Sequence, residues 1–460
     1  MSETKKPILL GAFEMMNPSN GMPTWTDPRG RGDDWDRLDY WVDLAAMLDR
    51  AGFDFLFFAD TYGYATLEGR MPHEVAAHGI QFPALDPMLA IPALARATEN
   101  IGFVVTSPTT VEMPYATARR FATLDRFTGG RIGWNIVTGS SQATTDDLFG
   151  VTRKLTHDQR YDAADDFLDT CLRFWEHSWD DDAELRDRAR RLYADPAKLH
   201  RVEVDGEHQR AHGIFAVPPT PQRTPVLFQA GTSPAGRAFA ARNSECVFVQ
   251  ATTPSRTAAA VADIRALAAE RGRDPRGMKL MAGLTVFVGE TEEEARRYEA
   301  EFDAMQTDEI VASLYAGNTG IDLLTLDPDK TLHQVLGQDG PVGQMGTSNI
   351  ERFLGENAPT VREILDQLKG RGTRGFRLVG DPTQVADGIE ALAAETDLDG
   401  FLIEPVFEPA DLEDFGRLVM PILRERGRLR AGTAGNTLRA RLTEQPGNDR
   451  LGDAHPVLAD

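Results

Sequence analysis

The 460-residue sequence has little cysteine and comparatively little positive charge. Its two cysteines, Cys171 and Cys246, are too few for a disulfide framework, and this scarcity is typical of a reducing compartment, so we expect a cytoplasmic protein. The net charge of -22 argues against nucleic-acid or anionic-membrane partners, because both are bound through clustered Lys and Arg.

Several diagnostic patterns are also missing. The first apolar stretch, 8–13, is too short for a signal-peptide core, and no stretch reaches the ~18 apolar residues of a membrane span. The segment QAGTSPAG is not the GxGxxG dinucleotide fingerprint, and there is no GxSxG nucleophile elbow. The segment HEVAAH separates His73 from His78 by five residues instead of the four of a zinc protease, so we expect no metal site.

Short apolar runs alternate with longer amphipathic stretches. Continuous apolar runs such as FLFF and FVV are typical of strands buried on both faces, as in a parallel sheet. The predicted strands are 7–13, 53–60, 101–107, 131–138, 225–230, 246–250, 279–288 and 400–405. The predicted helices are 36–50, 115–127, 157–176, 234–242, 253–271 and 290–304, with Gly52 and Gly129-Gly130 as helix stops. Eight strands with interleaved helices predict a TIM (β/α)₈ barrel, and a doubly wound open sheet is the alternative.

Some connections are much longer than is usual between strands and helices. They are 14–34, 61–86, 139–156, 178–224 and 315–374, and the last is long enough for helices of its own and a lid role. Loops that follow barrel strands build the active-site face, so the first two indicate a covered pocket, although decoration or an oligomer contact would also explain them. We expect one elaborated domain over 1–445 and a polar, disordered tail over 446–460.

Polar residues stand where several predicted strands end. Asp60 ends FDFLFFAD, Thr106 ends FVVT, and Asn135 and Thr138 lie in RIGWNIVTGS. Such side chains can hydrogen-bond a heterocycle edge or a ribityl chain, and each can equally be a structural hydrogen-bonding residue or a loop cap.

Two further segments suit an anion. His157 and Tyr161 share one face of a helix near its first turn, where anions are favoured. In QAGTSPAG, Gly231 permits a tight turn, Ser233 is a good helix cap and Pro234 fits the first helical position, so backbone N–H groups would face a phosphate. A surface histidine with a packed tyrosine is the structural alternative for the first segment.

Taken together, these pieces resemble the bacterial luciferase-like flavin monooxygenases, in the group of nitrilotriacetate, dibenzothiophene-sulfone and long-chain alkane monooxygenases. The segments that carry the resemblance run from about residue 50 to 442. They are GFDFLFFAD, ALDPM, ATARRFATLDRFTGGRIGWNIVT, HDQRYDAADDFLD, ADPAKLH, PPTPQRTPVLFQAGTSPAGRAFAA, DGFLIEPVF and GNTLRARL.

The resemblance implies a TIM barrel that binds reduced FMN at the carboxyl ends of its strands and uses O₂ as co-substrate. It implies that the flavin site is lined by Asp60, Thr106, Asn135, Thr138, His157 and Tyr161, with Gly231, Thr232 and Ser233 as the phosphate-binding turn. It also implies a separate NAD(P)H-dependent flavin reductase and a homodimer or homotetramer.

The chain departs from the family near its start. Many relatives carry a histidine shortly before Trp-Arg after the first strand, whereas this chain has Trp25 with no histidine before it, so no catalytic residue can be assigned. The two first insertions offer a mix of apolar and hydrogen-bonding groups that suits a planar or partly aromatic substrate, and Arg29, Arg31 and Arg70 leave an anionic substrate as the alternative. The candidate substrate-binding residues are Trp25, Tyr62, Tyr64, His73 and His78.

The sequence therefore predicts a two-component, FMN-dependent monooxygenase of a small organic substrate, heterocyclic or xenobiotic. A flavin-dependent lyase that cleaves a heterocycle such as riboflavin is the alternative within the family, and a related barrel could use the deazaflavin F420. A non-catalytic flavin-binding protein is the alternative of another class.

Overall fold

The computed structural model describes residues 6–20, 22–67, 69–139, 142–152, 154–231, 233–250, 253–336, 350, 353–354, 358–371, 375–430, 437–452 and 455–458. Its centre is a closed barrel of eight parallel strands. The barrel strands are β1 (Leu9–Glu14), β2 (Phe55–Phe58), β3 (Gly102–Pro108), β4 (Ile132–Val137), β9 (Val226–Gln229), β10 (Cys246–Val249), β11 (Lys279–Val288) and β13 (Gly400–Ile403). They pair in that order, and β13 closes the ring on β1.

Helices surround the barrel. They are α1 (Leu38–Ala51), α2 (His73–Ala77), α3 (Ile91–Arg96), α4 (Pro114–Thr128), α5 (Gln142–Phe149), α6 (His157–His177), α7 (Pro234–Asn243), α8 (Pro254–Glu270), α9 (Glu292–Ala304), α10 (Asp308–Thr319), α11 (Leu332–Leu336), α12 (Val361–Arg371), α13 (Pro382–Thr396), α14 (Ala410–Asp414), α15 (Met420–Glu425) and α16 (Leu438–Thr443). Among the described residues, none of these helices is long and apolar enough to cross a membrane.

The predicted barrel is confirmed, and each of the eight predicted strands is a strand of the barrel. The open-sheet alternative is wrong because β10 pairs with β11 and β1 pairs with β13, which leaves the ring without an edge. The helix stops are also as predicted: Gly52 and Gly129 end α1 and α4 in the left-handed conformation, with φ of 96° and 66°.

Five further strands were not predicted. A ninth parallel strand, β12 (Phe376–Gly380), pairs with the carboxyl half of β11 outside the barrel. Two antiparallel hairpins, β5 (Glu184–Asp187) with β6 (Leu192–Ala194) and β7 (Val202–Asp205) with β8 (Arg210–Gly213), lie in the connection 178–224. That connection joins the end of α6 to the start of β9, so it begins and ends on the amino-terminal side of the barrel.

The amino-terminal end of the barrel is closed by α16. Leu438 is fully buried in the same cluster as the inward-facing residues of the strands, and a Cβ on Gly102 of β3 would lie 2.5 Å from its Cδ1. Beside it, Arg439 is 2% exposed and its guanidinium Nη2 lies 2.9 Å from Glu245 Oε2 and 3.0 Å from the Thr224 carbonyl oxygen. The helix α16 is therefore the plug of the amino-terminal end, and the carboxyl end is the open end of the barrel.

The last insertion, 315–374, has an apolar core of its own over its described part. Residues of α10, α11 and α12 bury one another, among them Tyr315, Leu332 and Ile364, in a cluster separate from the main core. The helices predicted there are confirmed. The polar tail differs from the expectation of disorder, because Leu451 and Val457 are 4% and 3% exposed and pack on the main core.

Candidate functional site

The carboxyl ends of β3 and β4 bring two predicted site residues together. Thr106 and Asn135 are register partners on these adjacent parallel strands, and both side chains are buried. Asn135 Nδ2 donates a hydrogen bond of 2.9 Å to Thr106 Oγ1. The pairing follows from the strand-end position of both residues, because parallel strands end on the same rim.

A second group forms around the Tyr161 hydroxyl. The helix α6 begins with a capping box, in which Thr156 and Gln159 bond each other's backbone N–H groups, and this fixes Tyr161 one turn inside. Its hydroxyl lies within hydrogen-bonding distance of the side chains of Thr138 and Ser233, and Gln229 Nε2 lies 3.5 Å away. Burial raises the pKa of Tyr161, so the hydroxyl is protonated at neutral pH.

The turn before α7 closes tightly on that hydroxyl. A Cβ on Gly231 would lie 2.5 Å from the Tyr161 oxygen, and one on Gly236 would lie 2.8 Å from it, so both positions exclude a side chain. Ser233 caps α7 by accepting a 3.1 Å bond from Gly236 N, and Pro234 takes the first helical position as predicted. Thr232, the third residue of the predicted phosphate turn, lies outside the described residues.

His157 is the first residue of α6 and adjoins this group. Its ring meets the Tyr161 ring edge-on, with centroids 5.3 Å apart, and its Nδ1 lies 2.9 Å from Asp158 Oδ1. The imidazole is about one-third exposed, so it stands between the Tyr161 group and solvent.

Asp60 follows β2 on the same rim. One oxygen accepts a 2.8 Å hydrogen bond from Thr61 N. Burial, followed by the negative charge of Asp86, raises the pKa of Asp60 to about 7. A half-buried carboxyl that titrates near neutrality can hold or release a proton at the mouth of the barrel.

Two buried polar atoms on this rim have no hydrogen-bond partner among the described residues. They are Asn135 Oδ1 and Gln229 Oε1, at the ends of β4 and β9. Buried polar groups are nearly always satisfied in folded proteins, so these two acceptors stand out on the rim. Gln229 escaped the sequence analysis, and its only signal was a polar residue closing the apolar run VLF.

Below the polar groups, the mouth has an aromatic floor. Phe13 stacks on Phe57 at 5.8 Å between ring centroids, and Phe57 meets Phe248 edge-on at 4.8 Å. Phe248 stacks in turn on Phe228 at 5.9 Å. A planar ligand above this floor would have apolar rings beneath it and hydrogen-bonding groups at its edges, as is typical of small-molecule pockets.

Three of the predicted substrate-binding residues hydrogen-bond to other loops or helices near the open end of the barrel. Trp25 Nε1 donates a 3.1 Å hydrogen bond to the carbonyl oxygen of His78. The Tyr62 hydroxyl donates to Glu112 Oε1 at 2.7 Å, and its ring stacks on Phe149 at 5.6 Å. Tyr64 N donates a 3.3 Å bond to Thr144 Oγ1.

The two histidines of HEVAAH contact Glu74 of α2. His73 Nδ1 and His78 Nε2 lie 3.0 and 2.9 Å from its two oxygens, and the His73 side chain is 85% exposed. Among the described residues, no group of three or more His, Cys, Asp or Glu side chains is placed to hold a metal ion.

A buried charge cluster at the end of β1 was not predicted. Arg31 Nη2 lies 2.6 Å from Glu14 Oε2 and 3.1 Å from Glu408 Oε1, and all three side chains are at most 1% exposed. Burial raises the pKa of Glu14 to about 8 despite the opposing charge of Arg31. The cluster ties the first insertion to the loop after β13. Glu14 was overlooked because it closes an apolar strand, and Arg31 was considered only as a group for an anionic substrate.

Comparisons with known proteins show which family the chain matches. The family model described as luciferase-like monooxygenase matches residues 17–430. The chain is 36% identical to the long-chain alkane monooxygenase of Geobacillus thermodenitrificans, over 98% of this chain and 97% of that protein. It is also 36% identical to the dimethyl-sulfide monooxygenase of Hyphomicrobium sulfonivorans, over 98% of this chain and 93% of that protein.

Solved structures match over almost the whole chain. A crystal structure of riboflavin lyase with modified FMN and its substrate riboflavin superposes with a TM-score of 0.92 at 39% identity and covers 99% of both chains. The crystal structure of a long-chain alkane monooxygenase superposes with a TM-score of 0.90 at 35% identity, again over 99% of both chains.

Proposed function

The chain belongs to the luciferase-like monooxygenase family and is a flavin-dependent oxidoreductase, and we propose that it oxidises a small organic substrate with dioxygen and reduced FMN. The observation that carries this proposal is the group around the Tyr161 hydroxyl. It combines a capped helix start, two positions that admit only glycine, and a buried tyrosine in reach of Thr138 and Ser233. A helix start with converging N–H and O–H donors suits a phosphate.

The remaining predicted residues suit the rest of a flavin. We infer that Thr138, His157, Tyr161, Gly231 and Ser233 hold the phosphate and ribityl end, and that Thr106, Asn135 and Asp60 hold the ring edge. The partnerless atoms Asn135 Oδ1 and Gln229 Oε1 fit such a ligand. The aromatic floor of Phe13, Phe57, Phe228 and Phe248 supports the ring from below.

When bound, reduced flavin supplies the electrons that activate dioxygen, and the protein's task is to orient and shield it. The insertions 14–34 and 61–86 exclude water from the mouth, because Trp25 ties them together and Arg31 ties the first to the loop after β13. The same insertions would position a substrate next to the proposed flavin site.

We propose that a separate NAD(P)H-dependent flavin reductase supplies the reduced FMN. This rests on relatives such as nitrilotriacetate monooxygenase component A of Aminobacter aminovorans, which is 34% identical over 430 residues. The GxGxxG match GRGTRG at 370–375 precedes strand β12 instead of following a strand, so it does not have the context of a dinucleotide site. A homodimer or homotetramer is the expected assembly, by resemblance to the family.

The test separates electron supply from oxidation. The purified chain with FMN should leave NADH unoxidised, and a flavin reductase added to the mixture should start substrate-dependent oxygen consumption. Fast NADH oxidation by the chain alone would overturn the two-component proposal. Tight FMN binding without any substrate-dependent oxygen consumption would favour a flavin-binding protein instead.

A second candidate function is cleavage of a heterocycle, favoured by the 39% identity and the TM-score of 0.92 to riboflavin lyase. Product analysis with labelled dioxygen distinguishes the two, because a monooxygenase leaves one labelled atom in the product, whereas a lyase is recognised by the fragments of its substrate.

A further inference from the structure

The buried charge cluster at the end of β1 holds more acid than base. Arg31 Nη2 contacts the carboxyls of both Glu14 and Glu408, and all three side chains are at most 1% exposed. Burial, followed by the negative charge of Glu408, raises the pKa of the neighbouring Asp411 to about 7. One guanidinium balances one carboxylate, and a buried charge without a partner is costly. The cluster therefore needs bound protons to stay closed.

Glu14 is the carboxyl that binds such a proton at neutral pH. Its Oε2 lies 2.6 Å from Arg31 Nη2 and accepts a 3.2 Å hydrogen bond from Asn20 Nδ2, while its Oε1 has no hydrogen-bond partner among the described residues. Burial, together with the charge of Glu408, outweighs the attraction of Arg31 and raises the pKa of Glu14 to about 8. A solvent-exposed glutamate is ionised at the same pH.

Two further titratable groups adjoin Glu14 and Arg31. The Arg31 guanidinium lies 5.5 Å from the centre of the Tyr40 ring, and burial raises the pKa of Tyr40, so its hydroxyl is neutral. The Asp411 carboxylate accepts hydrogen bonds from three backbone N–H groups of its own loop and of α14. Its negative charge therefore stays with the loop after β13, whatever the first insertion does.

The cluster is where the first insertion is fastened. Glu14 closes β1, Glu408 lies in the loop after β13, and Arg31 belongs to the insertion itself. If the insertion lifts away, Arg31 leaves both carboxyls and water reaches Glu14, whose pKa then returns to its usual value of 4.5. Opening at neutral pH therefore releases a proton, and a higher pH favours it.

The position of Glu14 connects this cluster to the mouth of the barrel. Side chains alternate along a strand, and Phe13 packs against the inward-facing residues as part of the aromatic floor. Glu14, the next residue, therefore points outward, to the insertion. The insertion also reaches the second insertion, where Trp25 Nε1 donates to the His78 carbonyl oxygen.

We propose that the first insertion opens and closes at the mouth in step with a proton, and that its closed state requires this proton on Glu14. Glu14 is then a positioning residue, which acts through Arg31. The consequence for flavin exchange rests on the proposed function. Each pH unit between 4.5 and about 8 should make opening roughly ten-fold easier, because the open state loses the proton that the closed state keeps.

Hydrogen exchange of the full chain without flavin tests the proton link. Exchange rates of the backbone amides in 22–31, divided by those of unstructured peptides at the same pH, give the population of the open state. In wild type this population should rise roughly hundred-fold from pH 6 to pH 8. Glu14→Gln keeps the shape of the side chain and cannot ionise, so its open population should be the same at both pH values.

Asp27→Asn is the matched control in the same insertion. Despite partial burial, hydrogen bonds from Arg29 hold the pKa of Asp27 below its usual value, so its titration lies below the tested window. This variant should open more readily at both pH values and keep the wild-type dependence on pH. Equal open populations of wild type at pH 6 and pH 8 would overturn the proposal. A Glu14→Gln variant that follows pH as wild type does would overturn it as well.

Release of bound FMN tests the consequence for the mouth. Between pH 6 and pH 8, release measured by dilution and fluorescence should quicken roughly hundred-fold in wild type relative to Glu14→Gln, because it proceeds through the open state. The affinity should stay within about two-fold, since binding passes through the same state. A release rate with no such difference would overturn the role of the insertion at the mouth. Failure to bind FMN would overturn the proposed function, and amide exchange would still decide the proton link.

Discussion

At the scale of single residues, substitution of Tyr161 or Ser233 tests the proposed cofactor site most directly. Loss of one hydrogen bond to a charged phosphate costs roughly 1.5–3 kcal/mol. Tyr161→Phe and Ser233→Ala should therefore each weaken FMN binding roughly ten- to hundred-fold, measured by fluorescence titration. Tyr193→Phe is the control, because the Tyr193 hydroxyl contacts Glu184 on the β5–β6 hairpin and should leave the affinity unchanged. Equal affinity in all three variants would remove Tyr161 and Ser233 from the site.

Asp60 predicts a pH-dependent stability. Its pKa in the folded chain, about 7, lies above its usual value of 3.8, so the folded state binds the proton more tightly than the unfolded state. The stability linked to this carboxyl is therefore complete below about pH 4 and is lost as the pH rises through 7. Asp60→Asn removes the titration, so its melting temperature relative to wild type should be higher at pH 8.5 than at pH 5.

The exposed Asp182 is the control for that measurement. Its hydrogen bond with Lys198 lowers its pKa, so its titration lies below the tested window. The difference between Asp182→Asn and wild type should be the same at pH 5 and pH 8.5. If Asp60→Asn behaves in the same way, burial does not raise the pKa of Asp60.

How far the sequence predicts individual residues depends on where they stand. Thr106 and Asn135 could be placed together because both end apolar strands, and strand ends share a rim. The burial of Arg31 could not be predicted, because it depends on how a loop folds over the barrel, and loop residues give no periodic signal. Gln229 was hidden for another reason: its chemistry matters only beside Tyr161, 68 positions earlier in the chain.

At the scale of elements, the barrel strands were predictable and the other strands were not. Strands such as β2 and β3 are buried at every residue, so β2 is apolar throughout and β3 is apolar up to Thr106 at the rim. In contrast, β12 has three half-buried residues of five, and β5 has no fully buried residue, so neither gives such a run. A hairpin on the protein surface is determined by its turn and its neighbours more than by hydrophobicity.

The helix α16, which closes the amino-terminal end of the barrel, gives a prediction about stability. Leu438 of α16 is 0% exposed among the inward-facing strand residues, so Leu438→Ala should cost roughly 2–5 kcal/mol of unfolding free energy. Leu324→Ala, at a residue 48% exposed, should cost no more than about 0.5 kcal/mol. Urea denaturation measures both. A similar cost in the two variants would contradict the role of α16 as the plug of the barrel.

At the scale of the whole molecule, the fold determines which end can do chemistry. The plug at the amino-terminal end leaves open the carboxyl end of the strands. This end carries Asn135, Asp60 and the start of the helix that holds Tyr161, and the first two insertions follow strands there. Length and hydrophobic pattern were enough to predict the barrel, since eight buried strands with intervening helices have few ways to pack. The substrate pocket is built by the insertions, whose shape no such rule determines.

We propose that this barrel uses flavin electrons to place oxygen on a small molecule. The most direct measurement is a single turnover, in which the full chain is mixed without air with chemically reduced FMN and a candidate substrate such as decane, dimethyl sulfide or riboflavin, and then with labelled dioxygen. We expect one labelled oxygen atom in a product formed from one of these molecules, in an amount that depends on the enzyme. Label recovered only as hydrogen peroxide or water, with every candidate substrate unchanged, would contradict this function.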